Sequence, residues 1–330
     1  MYASTPKCCD TDYIDFLIAS PKAFCCTEAA AVQPESPDPP AHDAFTRLLQ
    51  RLEPDPQTLW QDARPLVHRA AGVLVLDDST LDKPYAQKIE LVGRHWSGKH
   101  KAVVRGINLI TVVWTDGDRQ IPCDYRLYDK ANDHLTKNDH FRAMVQAAHD
   151  RGFAPECVLF DSWYSGLENL KAIRGYGWRW LTQLKVNRNV NLQRQGLRAV
   201  SQTAIASSGT VVHLEGYGLI RVFKIVSRDR DIEYWATNDL EMDELERLRL
   251  AERYWAVENY HRGLKQCCGV ERAQVRSSRA QRNHIGLAIR AFLRLEYHFY
   301  TTGISWYEAT ARIIRGAVRA YIANPLYRLP

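Results

Sequence analysis

Two short apolar runs, each ending in aspartate, constrain this chain more than any other feature. They are Val73-Leu74-Val75-Leu76-Asp77-Asp78 and Cys157-Val158-Leu159-Phe160-Asp161. Four apolar residues closed by an acid form the pattern of a strand buried on both faces. Between the runs lie two further strand-like segments, 106–114 and 119–128, joined by Thr115-Asp116-Gly117-Asp118, whose Asp-Gly marks a hairpin. Thr136, with Asp139 three residues on, predicts the N-cap of a helix that runs to Arg151. Beyond the second run, a helix is expected over 167–174, closed by Gly175, and then a strand over 178–184.

Strand, strand, strand, helix, strand, helix, strand is the order of a ribonuclease-H-like α/β fold, a mixed sheet flanked by helices. In that topology the first and fourth strands lie side by side and parallel, because the helix between them makes a crossover. Asp78 and Asp161 are then expected at the same end of neighbouring strands, outside which ligands of such sheets sit. One step along a strand turns the side chain to the other face, so only one of Asp77 and Asp78 points into such a site. Plainer roles stay open for both acids: Asp78 capping a turn with Ser79 and Thr80, and Asp161 capping the helix that follows it.

The rest of the chain divides by composition. Residues 1–72 read as a small helical region, with helices over 12–19 and 44–52 and a Pro-rich linker over 33–40. Residues 73–300 form the expected catalytic domain, and 301–330 a helical tail. A β-rich insertion is expected at about 186–240, because 211–214, 218–226 and 232–237 alternate apolar and polar residues. Turns are expected there at Glu215-Gly216 and Arg228-Asp229-Arg230, and the piece could serve as a platform for nucleic acid.

With 45% hydrophobic and 25% charged residues the composition is that of a soluble globular protein. No apolar run reaches membrane-spanning length and the N-terminus lacks a signal pattern, which predicts a cytoplasmic protein with no membrane partner. The eight cysteines include no Cys-x-x-Cys, so reduced thiols are expected in place of a zinc site. Charge is unevenly spread: residues 1–62 hold 4 Lys/Arg against 10 Asp/Glu, and residues 251–330 hold 13 against 5. That excess predicts a polyanion-binding face in the C-terminal third, on which Arg276, Arg279, Arg282, Arg290 and Arg294 lie.

A third acid sits in Tyr254-Trp255-Ala256-Val257-Glu258-Asn259-Tyr260-His261-Arg262-Gly263-Leu264-Lys265, within a Pro-free run that predicts a helix. Glu258, Arg262 and Lys265 are spaced four and three apart and share one helix face. A surface salt-bridge ridge has the same spacing. Taken with the two strand-terminal aspartates, though, the helix completes a set of three hard oxygen donors. Such a set suits Mg²⁺ or Mn²⁺, and two such ions can activate an attacking oxygen and stabilise the leaving one in phosphodiester chemistry.

On these residues the sequence resembles the DDE transposases of bacterial insertion sequences, in the group with a Tyr-x2-Arg-x3-Glu-x6-Lys signature. The likeness rests on Asp77-Asp78-Ser79-Thr80, Phe160-Asp161-Ser162-Trp163-Tyr164-Ser165, the Glu258 helix and Gly269-Val270-Glu271-Arg272. It implies cut-and-paste transposition, with Asp78, Asp161 and Glu258 as catalytic and metal-binding residues and two Mg²⁺ or Mn²⁺ ions. It also implies double-stranded DNA as partner and a homodimer on that DNA. Lys265 matches the signature lysine. Tyr254 stands where the signature has Arg, with Arg253 beside it, and Ala251 stands where it has Tyr.

Lys99, Lys101, Lys185, Arg188, Arg253, Arg262 and Lys265 are the expected DNA contacts. The loop 94–101, with Trp96 among its cations, could grip the DNA backbone, stack on an unpaired base or simply be solvated. Trp235 could hold a flipped base or pack within its sheet. Two other functions remain open: a catalytically inactive, transposase-derived DNA-binding protein, and a metal-free two-carboxylate enzyme such as a glycosidase.

Overall fold

The computed structural model describes residues 5–98, 100–226 and 231–326. In chain order its helices are α1 (Asp10–Ala19), α2 (Cys26–Ala31), α3 (His42–Arg51), α4 (Pro56–Ala63), α5 (Lys130–Asp133), α6 (Lys137–Asp150), α7 (Leu167–Gly175), α8 (Glu244–Cys267), α9 (Ser278–Thr302) and α10 (Trp306–Ala323). Its strands are β1 (Val73–Asp82), β2 (Gly93–Ser97), β3 (Ala102–Thr115), β4 (Gln120–Leu127), β5 (Cys157–Phe160), β6 (Trp180–Leu184), β7 (Asn189–Asn191), β8 (Leu197–Ala199), β9 (Thr210–Leu214), β10 (Gly218–Val226) and β11 (Ile232–Thr237). The chain forms two compact units, one of Met1–Pro65, Ser79–Leu109 and Tyr260–Pro330, the other of Leu66–Asp78 and Ile110–Asn259.

The second unit is the mixed α/β layer expected from the sequence. Its strands follow the order β4-β3-β1-β5-β6, the ribonuclease-H-like order. β1 runs parallel to β5, and β5 parallel to β6. α6 starts at the predicted cap: the Asp139 amide donates to the Thr136 hydroxyl at 3.2 Å, and the Thr136 amide donates back to the Asp139 carboxylate at 2.8 Å. Its apolar face lays Phe141 edge-on to Phe160 and flat on Tyr164, with ring centroids 5.2 and 5.1 Å apart. Each of these fully buried rings stabilises the layer by about 1.5–3 kcal/mol.

The β-rich insertion extends this same sheet. β11 pairs antiparallel with β6, and β10, β9, β7 and β8 follow outward. Its three longer strands match the alternation in the sequence, whereas β7 and β8 are too short to leave a pattern. The turn expected at Arg228-Asp229-Arg230 lies outside the described residues.

In the first unit α9 is the central helix, packed against α1, α3 and α4. Asn283 donates to the carbonyls of Leu49 and Leu52 at 2.7 and 2.8 Å, satisfying groups that the end of α3 leaves unpaired. The expected polyanion face on α9 requires correction. Arg290 is held by Asp10 at 2.6 Å and by Asp62 at 2.7 Å, Arg294 by Asp15 at 2.9 Å, and Arg279 by Glu53. The acids of residues 1–62 therefore neutralise much of the arginine excess within the chain itself. A second correction concerns residues 93–101, expected as a loop: 93–97 form β2, paired antiparallel with the start of β3. No helix among the described residues is long and apolar enough to cross a membrane.

The α1–α9 contact buries His284, whose Nδ1 lies 3.0 Å from the Tyr13 hydroxyl. Burial away from water holds its imidazole down from the usual 6.5 to about 3. The folded chain thus resists a proton that the unfolded chain accepts. Stability is unaffected above about pH 6.5 and is lost as pH falls from there toward 3. Denaturant midpoints measured from pH 8 to pH 4 should fall in the wild type and fall less steeply in His284→Gln; parallel curves would show that other groups govern the acid limb.

Candidate active site

The positions of the acids follow from strand register. β1 and β5 pair with Leu76 opposite Phe160, so the next residues, Asp77 and Asp161, leave their strands side by side. Neighbours in register on parallel strands point to the same face, and the adjacent residue points to the other. Asp77 is accordingly the acid set beside Asp161. Asp78 turns away: its carboxylate accepts from Lys137 Nζ at 2.8 Å and from the Tyr164 hydroxyl at 2.7 Å.

α8 carries Tyr254 and Glu258 one turn apart toward Asp77. The Tyr254 hydroxyl hydrogen-bonds the Asp77 carboxyl, and its ring stands edge-on to Trp235 with centroids 6.5 Å apart. Asp77 is only 7% exposed. Burial raises its carboxyl well above the ordinary aspartate range, and the negative charges of Asp78, Asp161 and Glu258 push it higher still. Burial and the carboxylates of Asp77, Asp161 and Glu258 likewise raise the Tyr254 phenol. Tyr164 is raised by burial and by Asp78.

These shifts tie Asp77, Asp161 and Glu258 into one electrostatic cluster within the second unit. Asp161 also fills the capping role left open for it, accepting from the Trp163 amide at 3.1 Å through Oδ1. Glu258 is exposed on α8. Among the described residues no group of three or more His, Cys, Asp or Glu side chains is arranged to hold a metal ion. In chemistry the donors nonetheless suit a hard divalent cation: they are carboxylate oxygens whose mutual repulsion such an ion would relieve.

Cations gather beside Asp161. Trp163, 57% exposed, has Lys185 Nζ 5.0 Å and Lys137 Nζ 5.9 Å from its ring centroid. Lys185 and Arg188 line a cavity of about 450 Å³ together with Ser165, Asn187 and Asn189. Burial depresses the Arg188 guanidinium. Two cations and two amides outnumber the one carboxylate of this cavity, Glu215, a balance that suits an anion.

The other expected DNA contacts are placed differently. Arg253 is paired with Glu156 at 2.7 Å, and Glu156 also binds Arg249. In the first unit, Lys265 donates to the Thr80 carbonyl at 2.8 Å and lies 3.3 Å from Glu271. Arg262 is exposed and lines, with Lys265 and Arg272, a cavity of about 430 Å³. Lys101 closes the β2–β3 turn, while Lys99 lies outside the described residues. Trp235 is 8% exposed and donates to Glu233 at 2.9 Å, which is the packing role. Reading the sequence missed Lys137 and Tyr164 as partners of Asp78, and Tyr254 as partner of Asp77. Only the parity of Asp77 along its strand was there to find.

The model of the transposase DDE domain matches residues 68–293, and the chain belongs to that family. It is a transposase-class protein on that evidence of membership. No curated protein matches it. Among solved structures it is similar to the piggyBac transposase synaptic complex with hairpin DNA, at 11% identity and a TM-score of 0.51 over 97% of this chain and 72% of that one. A looser similarity, at 10% identity and a TM-score of 0.29 over 58% of this chain and 46% of that one, links it to the Drosophila P element transposase strand transfer complex.

Because Arg253 is tied to Glu156, Arg253→Ala should lower stability by about 0.5–1 kcal/mol, the scale of a partly exposed ion pair. The dependence of DNA affinity on salt should stay as in the wild type. A shallower salt dependence would instead return Arg253 to the DNA.

Proposed function

We propose that the chain is a metal-dependent DDE transposase that moves an insertion sequence by cutting at its ends and joining them to target DNA. The observation that carries this is the register of β1 and β5, which sets Asp77 beside Asp161 at neighbouring strand ends, with the charge of Glu258 on α8 also acting on Asp77. Asp77, Asp161 and Glu258 would hold two Mg²⁺ or Mn²⁺ ions, which when bound supply charge neutralisation at the phosphodiester and an activated oxygen. The β1 role expected of Asp78 passes to Asp77 in this reading, because register puts Asp77 on the face of Asp161. Asp78 is then a positioning residue, holding Lys137 and Tyr164 beside the site.

Water attacks the phosphodiester at the element's end, and the freed 3′-hydroxyl attacks target DNA in line. Lys185 and Arg188 neutralise phosphate next to Asp161, as their cavity supports. Arg262 and Lys265 remain candidates for DNA contact in the first unit. Two ends must be processed together, so the working form is a homodimer on DNA. A second reading, an inactive DNA-binding derivative, is favoured by Tyr254 occupying the signature arginine position with its hydroxyl on Asp77.

Cleavage of DNA carrying the element's ends, assayed with Mg²⁺ or Mn²⁺, separates these readings. Asp161→Asn and Asp77→Asn should each reduce cutting by roughly 100-fold or more, the scale of losing a group that meets transition-state charge. Asp78→Asn should cost less. Undiminished cutting by Asp161→Asn overturns the site. Tight binding without any cutting by the wild type selects the inactive derivative.

A further inference from the structure

The ribbon formed by β2 and the start of β3 has one face that burial does not explain. Its cross-strand partners Arg94 with Arg105, and Trp96 with Val103, alternate in step, so all four side chains lie on the same face. On that face Trp96 is 65% and Val103 60% exposed, and both arginines are exposed. The opposite face is the packed one: Ser97 and Gly106 are buried. A Cβ on Gly106 would stand 2.5 Å from the Leu81 carbonyl oxygen, so the ribbon's root admits only glycine.

Two like charges directly opposite each other destabilise a ladder. Neither Arg94 nor Arg105 has an acidic partner among the described residues. Residues 79–109 hold six Lys/Arg against two Asp/Glu, and both acids are engaged. Asp82 binds His100 at 3.0 Å, and Glu90 accepts from the Ser278 amide at 2.6 Å. The face therefore presents paired cations with a large apolar surface between strands. Phosphate alone would call for cations but not for an exposed Trp–Val pair.

We infer that this ribbon reads base sequence in the major groove of duplex DNA. The major groove admits a two-stranded β-ribbon, arginine pairs in bidentate fashion with the guanine edge, and apolar groups meet the thymine methyl. Arg94 and Arg105 supply the guanine contacts, and Trp96 with Val103 supplies the apolar ones. The inference rests on DNA being the substrate, and it adds a specificity element made of residues other than the three acids.

Selection of bound sequences from a random duplex pool, without divalent metal, tests it. The wild type and Asp161→Asn should enrich the same guanine-containing motif. Arg94→Ala/Arg105→Ala should lose preference at those guanines by roughly 10-fold or more each, the scale of a bidentate base contact. Trp96→Ala should flatten preference at the flanking thymines. All four residues are exposed, and an unchanged melting temperature confirms that the variants fold. An unaltered motif in both variants, or binding by the wild type with no motif, overturns the inference while leaving the cleavage assay to judge the site. If the wild type binds no duplex, the DNA reading itself fails along with it.

Discussion

The chemistry of this chain depends on the parallel pairing of β1 with β5. That ladder sets Leu76 against Phe160, and everything at the strand ends follows from it. Had the strands slipped by one residue, Asp78 would stand beside Asp161 and Asp77 would face Lys137 and Tyr164. The apolar residues before the acids prevent such a slip, since Val73, Val75 and Leu76 are all buried to 1% exposure or less. Packing on both faces therefore selects which carboxylate joins the cluster. The cost is an aspartate shielded from water among other negative charges, which a cationic ligand would offset.

Charge in the first unit is arranged by a different logic. The arginines of α9 outnumber local acids along the sequence, yet they meet the acids of α1 and its neighbours in space. Part of what sequence counting presents as a basic face and an acidic face is a set of internal ion pairs made by Arg279, Arg290 and Arg294. Other cations lie outside those pairs, and two sets among them, one in each unit, stand out. Arg188 sits half-buried in a cavity beside Trp163's lysines, and Arg94 and Arg105 stand across the β2–β3 ribbon from each other.

Much of the fold was legible because its signals are local. The cap at Thr136, the apolar runs of β1 and β5 and the alternation of β9 to β11 each depend on neighbours within one turn or one strand. For the candidate site the sequence names the strand ends and leaves Asp77 and Asp78 to be separated by parity. Choosing Asp77 over Asp78 requires the register between strands 84 positions apart, which no window of sequence contains. The partner of Arg253 was hidden for the same reason, since Glu156 reaches it from the start of β5. The ribbon at 93–97 was missed because Gly93, His95 and Gly98 blur the alternation that its pairing with β3 makes plain.

Tyr254 brings these strands of argument together. Where the family signature has a cation, this chain has a neutral phenol that hydrogen-bonds the buried acid. A guanidinium there would neutralise Asp77 directly and keep it ionised. A phenol instead orients the carboxyl and leaves its charge unbalanced, with Asp161 and Glu258 raising its proton affinity further. A carboxylate binds a metal ion in its ionised form, so a raised proton affinity at Asp77 should couple cation affinity to pH more strongly than with arginine in the same place. The positive charge absent at position 254 has a counterpart in Lys137, which binds Asp78 and lies over Trp163. The site thus keeps a cation near the strand ends while moving it from the Glu258 helix to the start of α6.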